Sequence, residues 1–255
     1  MNRNGAELYL DLMKKVLTNL IYEDPPVMVY SYDEYSEHEF TSNPRHDGRD
    51  WPSLAHTMVG LRRLDNLQRC VQGVLDDGVP GDLIETGVWR GGASIFMRSV
   101  LKARLVTDRT VWVADSFRGM PEVGPAGHPA DRSLKLHEAN DVLAVPLETV
   151  RDNFRRYDLL DDQVAFLPGW FKDTLPTAPI ERLAVIRLDG DLYESTTDAL
   201  VHLYPKLSPG GFVIVDDYVI PACREAVHNY REEHGIREPI EDIDGTGAFW
   251  RRTGV

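Results

Sequence analysis

The chain has 255 residues, of which 42% are hydrophobic, and this suffices for one large α/β domain with a buried core. Its 28 lysines and arginines against 41 aspartates and glutamates give a net charge of -13, which opposes binding to nucleic acid or to an anionic membrane. Because the start lacks the features of a secretory signal and no apolar run approaches the ~20 residues that span a bilayer, we expect a cytoplasmic protein.

Residues 1–80 are predicted to form a helical extension that caps the substrate site. Residues 5–22 have the pattern of an amphipathic helix, with Leu8, Leu12, Val16 and Ile21 on one face. Residues 25–52 have no helical period, and a stretch of this length is typical of a lid or a binding loop. A second helix is predicted over residues 53–75. The apolar faces of these helices favour a homo-oligomer, a dimer or higher.

From residue 81 onward, short apolar runs alternate with helical segments, which is the pattern of a doubly wound α/β fold. Seven strands are predicted, at 82–86, 110–115, 163–167, 183–189, 211–216, 238–243 and 246–251. Helices are predicted at 92–105, 147–158, 170–175, 194–205 and 221–234. The last two strands are divided only by Asp244, Gly245 and Thr246, so a mostly parallel seven-stranded sheet should end in an antiparallel C-terminal hairpin. The long stretch 117–146 is predicted to be a lid.

Acidic residues follow two of the predicted strands at the point where each ends. Asp189 and Asp191 follow one apolar run, and Asp216 and Asp217 close the next. The carboxyl ends of parallel strands meet at one edge of the sheet, where such folds bind ligands. Like charges gathered there without a counter-charge would repel one another. The sequence therefore predicts a divalent cation among these carboxylates.

The first predicted strand of the sheet leads into a glycine-rich turn that contains Glu85, Gly87 and Gly91. This spacing differs from that of dinucleotide-binding turns, and an acid here would repel a phosphate. A carboxylate suits a cationic amino acid group or a sulfonium, which indicates S-adenosylmethionine. Asp115 ends the next strand and could accept hydrogen bonds from ribose hydroxyls, or could cap a turn. Trp170 and Phe171 could form the wall against an adenine ring, or could be core residues.

Taken in order, the motifs of the chain resemble those of class I methyltransferases that use S-adenosylmethionine. Within that class the chain resembles the macrocin O-methyltransferase group, which methylates sugar hydroxyls on antibiotics. The resemblance runs over nearly the whole chain. Residues 27–50, among them Tyr32, Asp33, Tyr35 and His38, match the group least. The motifs that carry it are residues 55–58, 81–92, 111–117, 169–174, 188–191 and 216–218.

The resemblance implies a role for each candidate site residue. Asp189, Asp216 and Asp217 would hold magnesium, and Asp191 would act as general base. The residues expected to line the cofactor are Met58, Glu85, Thr86, Gly87, Arg90, Gly91, Ser94, Asp115, Ser116, Gly169, Trp170 and Phe171. Those expected to contact the substrate are His137, Glu138, Tyr193 and Tyr218. On this basis, residues 81–255 would be the domain that binds S-adenosylmethionine.

The implied function is magnesium-dependent transfer of a methyl group from S-adenosylmethionine to a deoxysugar hydroxyl. The substrate would be a glycosylated natural product, such as a macrolide, enediyne or aminocoumarin antibiotic precursor. Two alternatives remain open. The Asp189-Gly190-Asp191 triplet also fits the Asp-x-Asp motif of a metal-dependent glycosyltransferase, and the same metal site could serve a small-phenol O-methyltransferase.

Overall fold

The computed structural model describes residues 4–30 and 39–254. Tyr32, Asp33, Tyr35 and His38 of the poorly matching stretch therefore lie outside the described residues. Within the described ranges, none of the helices combines the length and the apolar character that crossing a bilayer requires.

The N-terminal extension begins with helix α1, Gly5–Leu17, which Asn4 caps by accepting a hydrogen bond from the Glu7 amide at 2.9 Å. The apolar face predicted for this helix is not the face that packs on the core of the chain. Leu8, Leu12 and Val16 are exposed, whereas the core takes up Leu10, Met13 and Leu17 from the other side. Apolar residues occupy more than one side of α1, so its periodicity alone did not decide which side packs.

The extension continues with elements that the sequence did not indicate. Strands β1, Pro26–Val29, and β2, Asp50–Pro52, pair antiparallel, with helix α2, Pro44–Asp47, between them. Helix α3 spans Leu61–Asp76 rather than 53–75, so residues 53–60 precede the helix. Gly60 is the residue before α3, and a Cβ atom there would lie 2.5 Å from the Asp47 carbonyl carbon. Because glycine has no side chain, Gly60 allows the start of α3 to lie directly against the end of α2.

The seven-stranded, mostly parallel sheet is confirmed. Its strands are β3 Asp82–Thr86, β4 Val111–Asp115, β5 Val164–Pro168, β6 Leu183–Leu188, β7 Leu207–Val215, β8 Glu241–Asp242 and β9 Ala248–Arg251. They lie in the order β5-β4-β3-β6-β7-β9-β8. The first five are parallel, and β9 pairs antiparallel with both β7 and β8. The strand order reverses at β3, which has β4 on one side and β6 on the other, and ligands bind at such a point.

Helices cover both faces of the sheet. They are α4 Gly92–Ala103, α5 Pro129–Arg132, α6 Asn140–Leu143, α7 Leu147–Arg156, α8 Phe171–Thr174, α9 Tyr193–Leu203 and α10 Pro221–Glu233, with 3-10 turns at Leu136–Ala139, Leu175–Thr177 and Tyr204–Lys206. One buried cluster joins α1, α3, α4 and α7 to the sheet, and a second joins α9 and α10. These two layers leave the carboxyl ends of the parallel strands free to form a site.

Candidate functional site

The four predicted acids meet at the carboxyl ends of β6 and β7. Asp189, Asp216 and Asp217 each offer a carboxylate oxygen, and these atoms all lie within 4.8 Å of one another. Asp191 joins them because it adopts the left-handed backbone conformation, with φ of 54°, and its amide donates to Asp217 Oδ2 at 3.2 Å. The predicted convergence of these residues is thus present in the structure. We call Asp189, Asp191, Asp216 and Asp217 the acid cluster.

Two buried arginines supply the acid cluster with counter-charges that the sequence interpretation did not include. Arg187, near the end of β6, donates to Glu85 at 2.5 Å and to Asp189 at 2.6 Å, and it also pairs with Asp216. Arg63 of α3 pairs with the other oxygen of Asp216. The premise that the carboxylates lack a protein counter-charge is therefore wrong. The guanidinium groups bridge β3, β6 and β7 and tie α3 to their ends.

Negative charge nevertheless exceeds positive charge in this region. Burial, reinforced by Asp189 and Asp216, raises the pKa of Asp191 to about 7. Burial and the charge of Asp191 raise the pKa of Asp217 well above its ordinary value. Burial also raises the pKa of Glu85 to about 7, although Arg187 opposes this shift. The arginines thus compensate only part of the buried carboxylate charge.

The donor set fits a hard divalent cation such as magnesium. Both Asp216 oxygens and one Asp189 oxygen already accept hydrogen bonds from guanidinium groups. Carboxylate oxygens have further lone pairs, and those of Asp189 and Asp217 offer additional acceptor positions. Magnesium and calcium prefer such oxygen ligands. A divalent cation would also relieve the repulsion that raises the carboxyl pKa values.

A cavity of about 540 Å³ lies beside the acid cluster, at the carboxyl ends of β3, β4 and β5. Gly87, Asp115, Ser116, Trp170 and Phe171 of the predicted cofactor site line it. The turn after β3 passes so close to the chain after β6 that a Cβ atom on Gly87 would lie 1.6 Å from the Asp189 carbonyl oxygen. A side chain at this position would therefore block the junction of the turn and the acid cluster.

Asp115 caps the turns at the site, and its predicted bond to ribose hydroxyls stays a prediction. Its carboxylate accepts hydrogen bonds from the amides of Val88 at 2.7 Å and Phe117 at 2.6 Å, so it organises the turns after β3 and β4. It also lines the cavity. Each carboxylate oxygen has a second lone pair, which leaves Asp115 able to accept from a ligand hydroxyl as well.

Several residues expected to line the cofactor have other roles in the structure. Ser94 donates to Glu85, and Arg90 donates to the carbonyls of Pro52 at 3.1 Å and Ala55 at 2.8 Å. Arg90 therefore fastens the N-terminal extension to the glycine-rich turn.

Three further residues of this set belong to the backbone framework. Thr86 is fully buried, Gly91 precedes α4 in a left-handed conformation with φ of 87°, and the Gly169 amide donates to the Asp115 carbonyl at 2.9 Å. Each of them is close in the chain to residues that line a cavity. The sequence alone did not distinguish residues that line a cavity from residues that only shape the backbone beside it.

A second cavity, of about 330 Å³, contains the acid cluster. Met58 and Glu85 of the predicted cofactor set line it, so together with the larger cavity seven of the predicted cofactor residues reach a cavity wall. The Glu85 carboxylate is already bonded to Arg187 and Ser94. The two cavities share wall residues and are therefore neighbouring parts of one cleft. The shared residues are Gly87, Asp115, Gly119, Met120 and Asp189.

The predicted lid contributes to both cavities. Residues 119–124, 126 and 127 line the larger cavity, and Leu136 and Leu143 line the smaller one. Asn140 holds the turn at Met120 by bonding its amide at 2.8 Å and its carbonyl at 2.9 Å. The segment 117–146 therefore covers the cleft, and its movement on ligand binding stays a prediction.

The four predicted substrate residues do not line either cavity in the described structure. Glu138 is exposed and 3.8 Å from Lys135, and its neighbour His137 lies on the same short turn. Tyr193 stacks on His128 at 3.6 Å between ring centroids. These residues occupy the outside of the lid and the start of α9, whereas Leu136 of the same turn reaches the cavity.

The Tyr218 side chain likewise contacts other side chains of the same chain rather than a cavity. Its hydroxyl lies 2.8 Å from His228 Nε2, and the Arg224 guanidinium lies 5.1 Å from the centre of its ring. Ile220, two residues later, lines the smaller cavity instead.

Sequence reasoning missed Arg187 and the strand pair of the extension. A signal for Arg187 existed, because a lone charge within the buried run Leu183–Leu188 requires a paired carboxylate. Met28 of β1, Tyr30 just after β1 and Trp51 of β2 line the smaller cavity, and their irregular local pattern gave no comparable signal.

Comparisons with known proteins found a matching family model and several similar chains. A family model described as macrocin-O-methyltransferase (TylF) matches residues 6–252. The 8-demethyl-8-(2,3-dimethoxy-alpha-L-rhamnosyl)-tetracenomycin-C 4'-O-methyltransferase of Streptomyces olivaceus is 70% identical over the whole chain and 96% of its own length. The mycinamicin III 3''-O-methyltransferase of Micromonospora griseorubida is 58% identical, with 98% of each chain covered. The solved structure of the O-methyltransferase NovP superposes with a TM-score of 0.90 at 56% identity and covers 98% of this chain and 100% of its own.

Proposed function

The chain belongs to the macrocin O-methyltransferase family, and from this premise we propose that it methylates a deoxysugar hydroxyl of a glycosylated natural product. S-adenosylmethionine is the proposed methyl donor, and magnesium is the proposed metal. Two relatives are named for sugar positions, 4' on a rhamnosyl tetracenomycin and 3'' on a mycinamicin. We extend the class of acceptor, a sugar hydroxyl on a natural product, to this chain.

The observation that carries the proposal is the shared border of the two cavities. Asp115 and Gly87 belong to both walls, and Asp189 of the acid cluster stands at the same border. A donor held along Asp115, Trp170 and Phe171 would present its methyl group toward the smaller cavity. The reaction forms a carbon–oxygen bond as the carbon–sulfur bond breaks in line with it, which demands close and aligned reactants.

Asp191 is the proposed general base. It lines the smaller cavity, and its pKa of about 7 matches the value at which a base works well near neutral pH. It would accept the proton that the sugar hydroxyl loses as the methyl group is transferred. The hydrogen bond from its amide to Asp217 fixes its position relative to the other acids.

Asp189, Asp216 and Asp217 would hold the magnesium ion. When bound, this ion supplies Lewis-acid polarisation of an acceptor oxygen and a template that orients it. Arg187 and Arg63 keep Asp189 and Asp216 in place just after the ends of their strands, so that these carboxylates are oriented before the ion arrives.

The test is methyl transfer from labelled S-adenosylmethionine to a panel of glycosides, with magnesium and after thorough chelation. We expect transfer to a glycosylated natural product that depends on the metal and is lost in Asp189→Ala. Undiminished activity after chelation, with Asp189→Ala equally active, would refute the metal mechanism. Failure on every glycoside with success on a catechol would favour the small-phenol alternative. Membership of a methyltransferase family leaves no support for the glycosyltransferase alternative.

A further inference from the structure

We infer that the strand pair of the N-terminal extension forms the binding wall for a neutral, aromatic aglycone attached to the acceptor sugar. This wall, here called the ribbon, comprises residues 26–30 and 50–52. The inference rests on the proposed function, because it assumes that the sugar hydroxyl lies at the acid cluster. It adds the chemical class of the group that the sugar carries and the residues that contact it.

The ribbon faces the acid cluster across the smaller cavity. Met28, Tyr30 and Trp51 line that cavity together with Asp189 and Asp191. The walls of the larger cavity come from residues between Gly87 and Asp198, outside the ribbon. Five of the predicted cofactor residues line the larger cavity, and Met58 and Glu85 line the smaller one. A group that contacts the ribbon is therefore on the side of the cleft away from most of the proposed donor site.

Hydrogen bonds fix the distance between the ribbon and the acid cluster. The Tyr30 hydroxyl donates to the Gly48 carbonyl at 3.0 Å, and Arg63 donates to the same carbonyl at 2.8 Å. Arg63 also pairs with Asp216. The ribbon is thus joined to the acid cluster through one carbonyl and one guanidinium, and its rings form a wall that is in place before ligand binding.

The chemistry of this wall selects an apolar, flat group. The Tyr30 and Trp51 rings meet edge to face, with centroids 6.4 Å apart, so a planar ligand could stack on one ring and contact the edge of the other. Met28 lines the cavity while 43% exposed, which places it at the mouth. A sugar whose hydroxyl reaches the acids would direct its other end toward this mouth. Among the described residues that line this cavity, the one basic side chain is Arg63, which already pairs with Asp216, so the wall offers an anionic group no counter-charge of its own.

The test compares two neutral glycosides, p-nitrophenyl and methyl α-L-rhamnopyranoside, binding to enzyme that holds S-adenosylhomocysteine and magnesium. Calorimetry on the wild type should show tighter binding of the aryl glycoside by roughly 3- to 10-fold, the range of one aromatic contact. Trp51→Ala should remove this preference and leave the methyl glycoside within about 2-fold of wild type. Trp51→Phe should keep most of the preference, because it retains a ring.

Two controls separate the wall from a general loss of structure. Affinity for S-adenosylhomocysteine should be unchanged in both Trp51 variants, since the ribbon does not form the larger cavity. Tyr22→Ala, which removes an 86% exposed ring of the same extension, should behave as wild type. A preference that survives in Trp51→Ala, equal binding of the two glycosides in the wild type, or no binding of either would overturn the inference.

The outcome also distinguishes this inference from the proposed function. Binding with an aryl preference that depends on Trp51, but without methyl transfer to any glycoside, would uphold the wall and refute the reaction. Methyl transfer to both glycosides with equal kcat/KM, in the wild type and in Trp51→Ala, would uphold the reaction and refute the wall.

Discussion

Asp191 differs from the other three acids in its backbone, which is in the left-handed conformation. Its φ of 54° turns the chain shortly after β6. None of the guanidinium groups in the described ranges bonds the carboxylate of Asp191 or of Asp217, whereas Arg187 holds Asp189 and Asp216. Burial and two neighbouring carboxylates raise the pKa of Asp191 to about 7. These features separate a group that can exchange a proton from groups that are held in place.

Asp191→Asn should therefore lower kcat by about 10²- to 10⁴-fold, the usual contribution of a general base. The variant should still bind magnesium and S-adenosylhomocysteine, because the proposed metal ligands are other residues. Single-turnover rates and calorimetry measure the two properties separately. Loss of magnesium binding in this variant would mean that Asp191 is a ligand and that the roles are wrongly divided.

Arg187 shows what a local pattern can and cannot reveal. A charged residue in a buried strand predicts a carboxylate partner, but the identity of the partner depends on which strands become neighbours. Glu85 and Asp216 lie on either side of β6 only because the sheet places β6 between β3 and β7. The divalent cation was predicted from the positions of the aspartates along the chain. The pairing of Arg187 with Glu85 and Asp216 depends instead on the order of the strands in the sheet.

At the scale of elements, one buried arginine holds the N-terminal extension together. Arg45 of α2 binds Asp50 at 2.7 and 2.9 Å, Asp24 at 2.8 Å and the Thr18 carbonyl at 3.1 Å. Its carboxylate partners are nearly inaccessible to solvent. The end of α1, the segment before β1 and the start of β2 thus converge on a single guanidinium.

Arg45→Met should lower the free energy of unfolding by about 3 to 5 kcal/mol, because it leaves two buried carboxylates without their cation. Urea denaturation followed by circular dichroism measures the change. Arg104→Met is the matched control, since Arg104 pairs with Asp76 at the surface and such pairs contribute about 0 to 1 kcal/mol. Equal destabilisation by the two substitutions would contradict the structural role of Arg45.

The segment 53–60 connects β2 to α3 and brings Thr57 and Met58 to the smaller cavity. His56 fastens it, because its Nδ1 atom lies 2.6 Å from the Tyr157 hydroxyl. Burial, and then the charges of Arg156 and Arg90, lower the pKa of His56 to about 4. The folded protein therefore resists protonation of this ring, whereas the unfolded chain takes up the proton below about pH 6.5.

This difference makes stability depend on pH. Between about pH 6.5 and 4 the unfolded state binds one proton more than the folded state at His56, so this contribution to stability falls as pH falls through that window. His56→Gln should lose less unfolding free energy than the wild type when urea denaturation is repeated at pH 7 and pH 5. Identical losses in the two proteins would show that His56 is not responsible.

The strands of the main sheet could be predicted from the sequence. The residues that form the walls of the site could be predicted only in part. The parallel strands and the final hairpin follow from apolar runs and from the short connection at Asp244, because burial on both faces leaves a local pattern. The ribbon has no such pattern, since all four residues of β1 are exposed. The predicted substrate residues lie away from the cavity walls for a related reason: in the turn Leu136–Ala139, the fold exposes Glu138 and directs Leu136 to the cavity.

At the scale of the whole molecule, the exposed stripe of α1 bears on the predicted homo-oligomer. Leu8, Leu12 and Val16 lie on successive turns and are 56%, 53% and 37% exposed. A second copy of the chain would bury this stripe, and we expect Leu12→Glu to shift the protein toward a smaller species in light scattering. Lys15→Glu, on the same helix, is the control for the added charge. A wild-type mass equal to one chain would contradict the prediction.

The surplus negative charge of the acid cluster links metal binding to global stability. A ligand that binds the folded state alone stabilises it by about 2.7 kcal/mol at a concentration 100-fold above its Kd. For a chain of this size that corresponds to a rise in Tm of roughly 5 to 10 °C. Magnesium should therefore raise the Tm of the cofactor-free protein, relative to a monovalent salt of equal ionic strength, and a chelator should reverse the rise.

Asp217→Asn gives this prediction a result that general destabilisation cannot imitate. Burial and the charges of Asp191, Asp189 and Asp216 raise the pKa of Asp217, so its ionised form is unfavourable in the metal-free protein. Replacing it with a neutral side chain of similar shape should not lower the metal-free Tm, yet it should abolish the response to magnesium. Asp152→Asn, at a surface pair with Arg155, should retain the full response. A Tm that still rises with magnesium in Asp217→Asn would exclude Asp217 from the metal site.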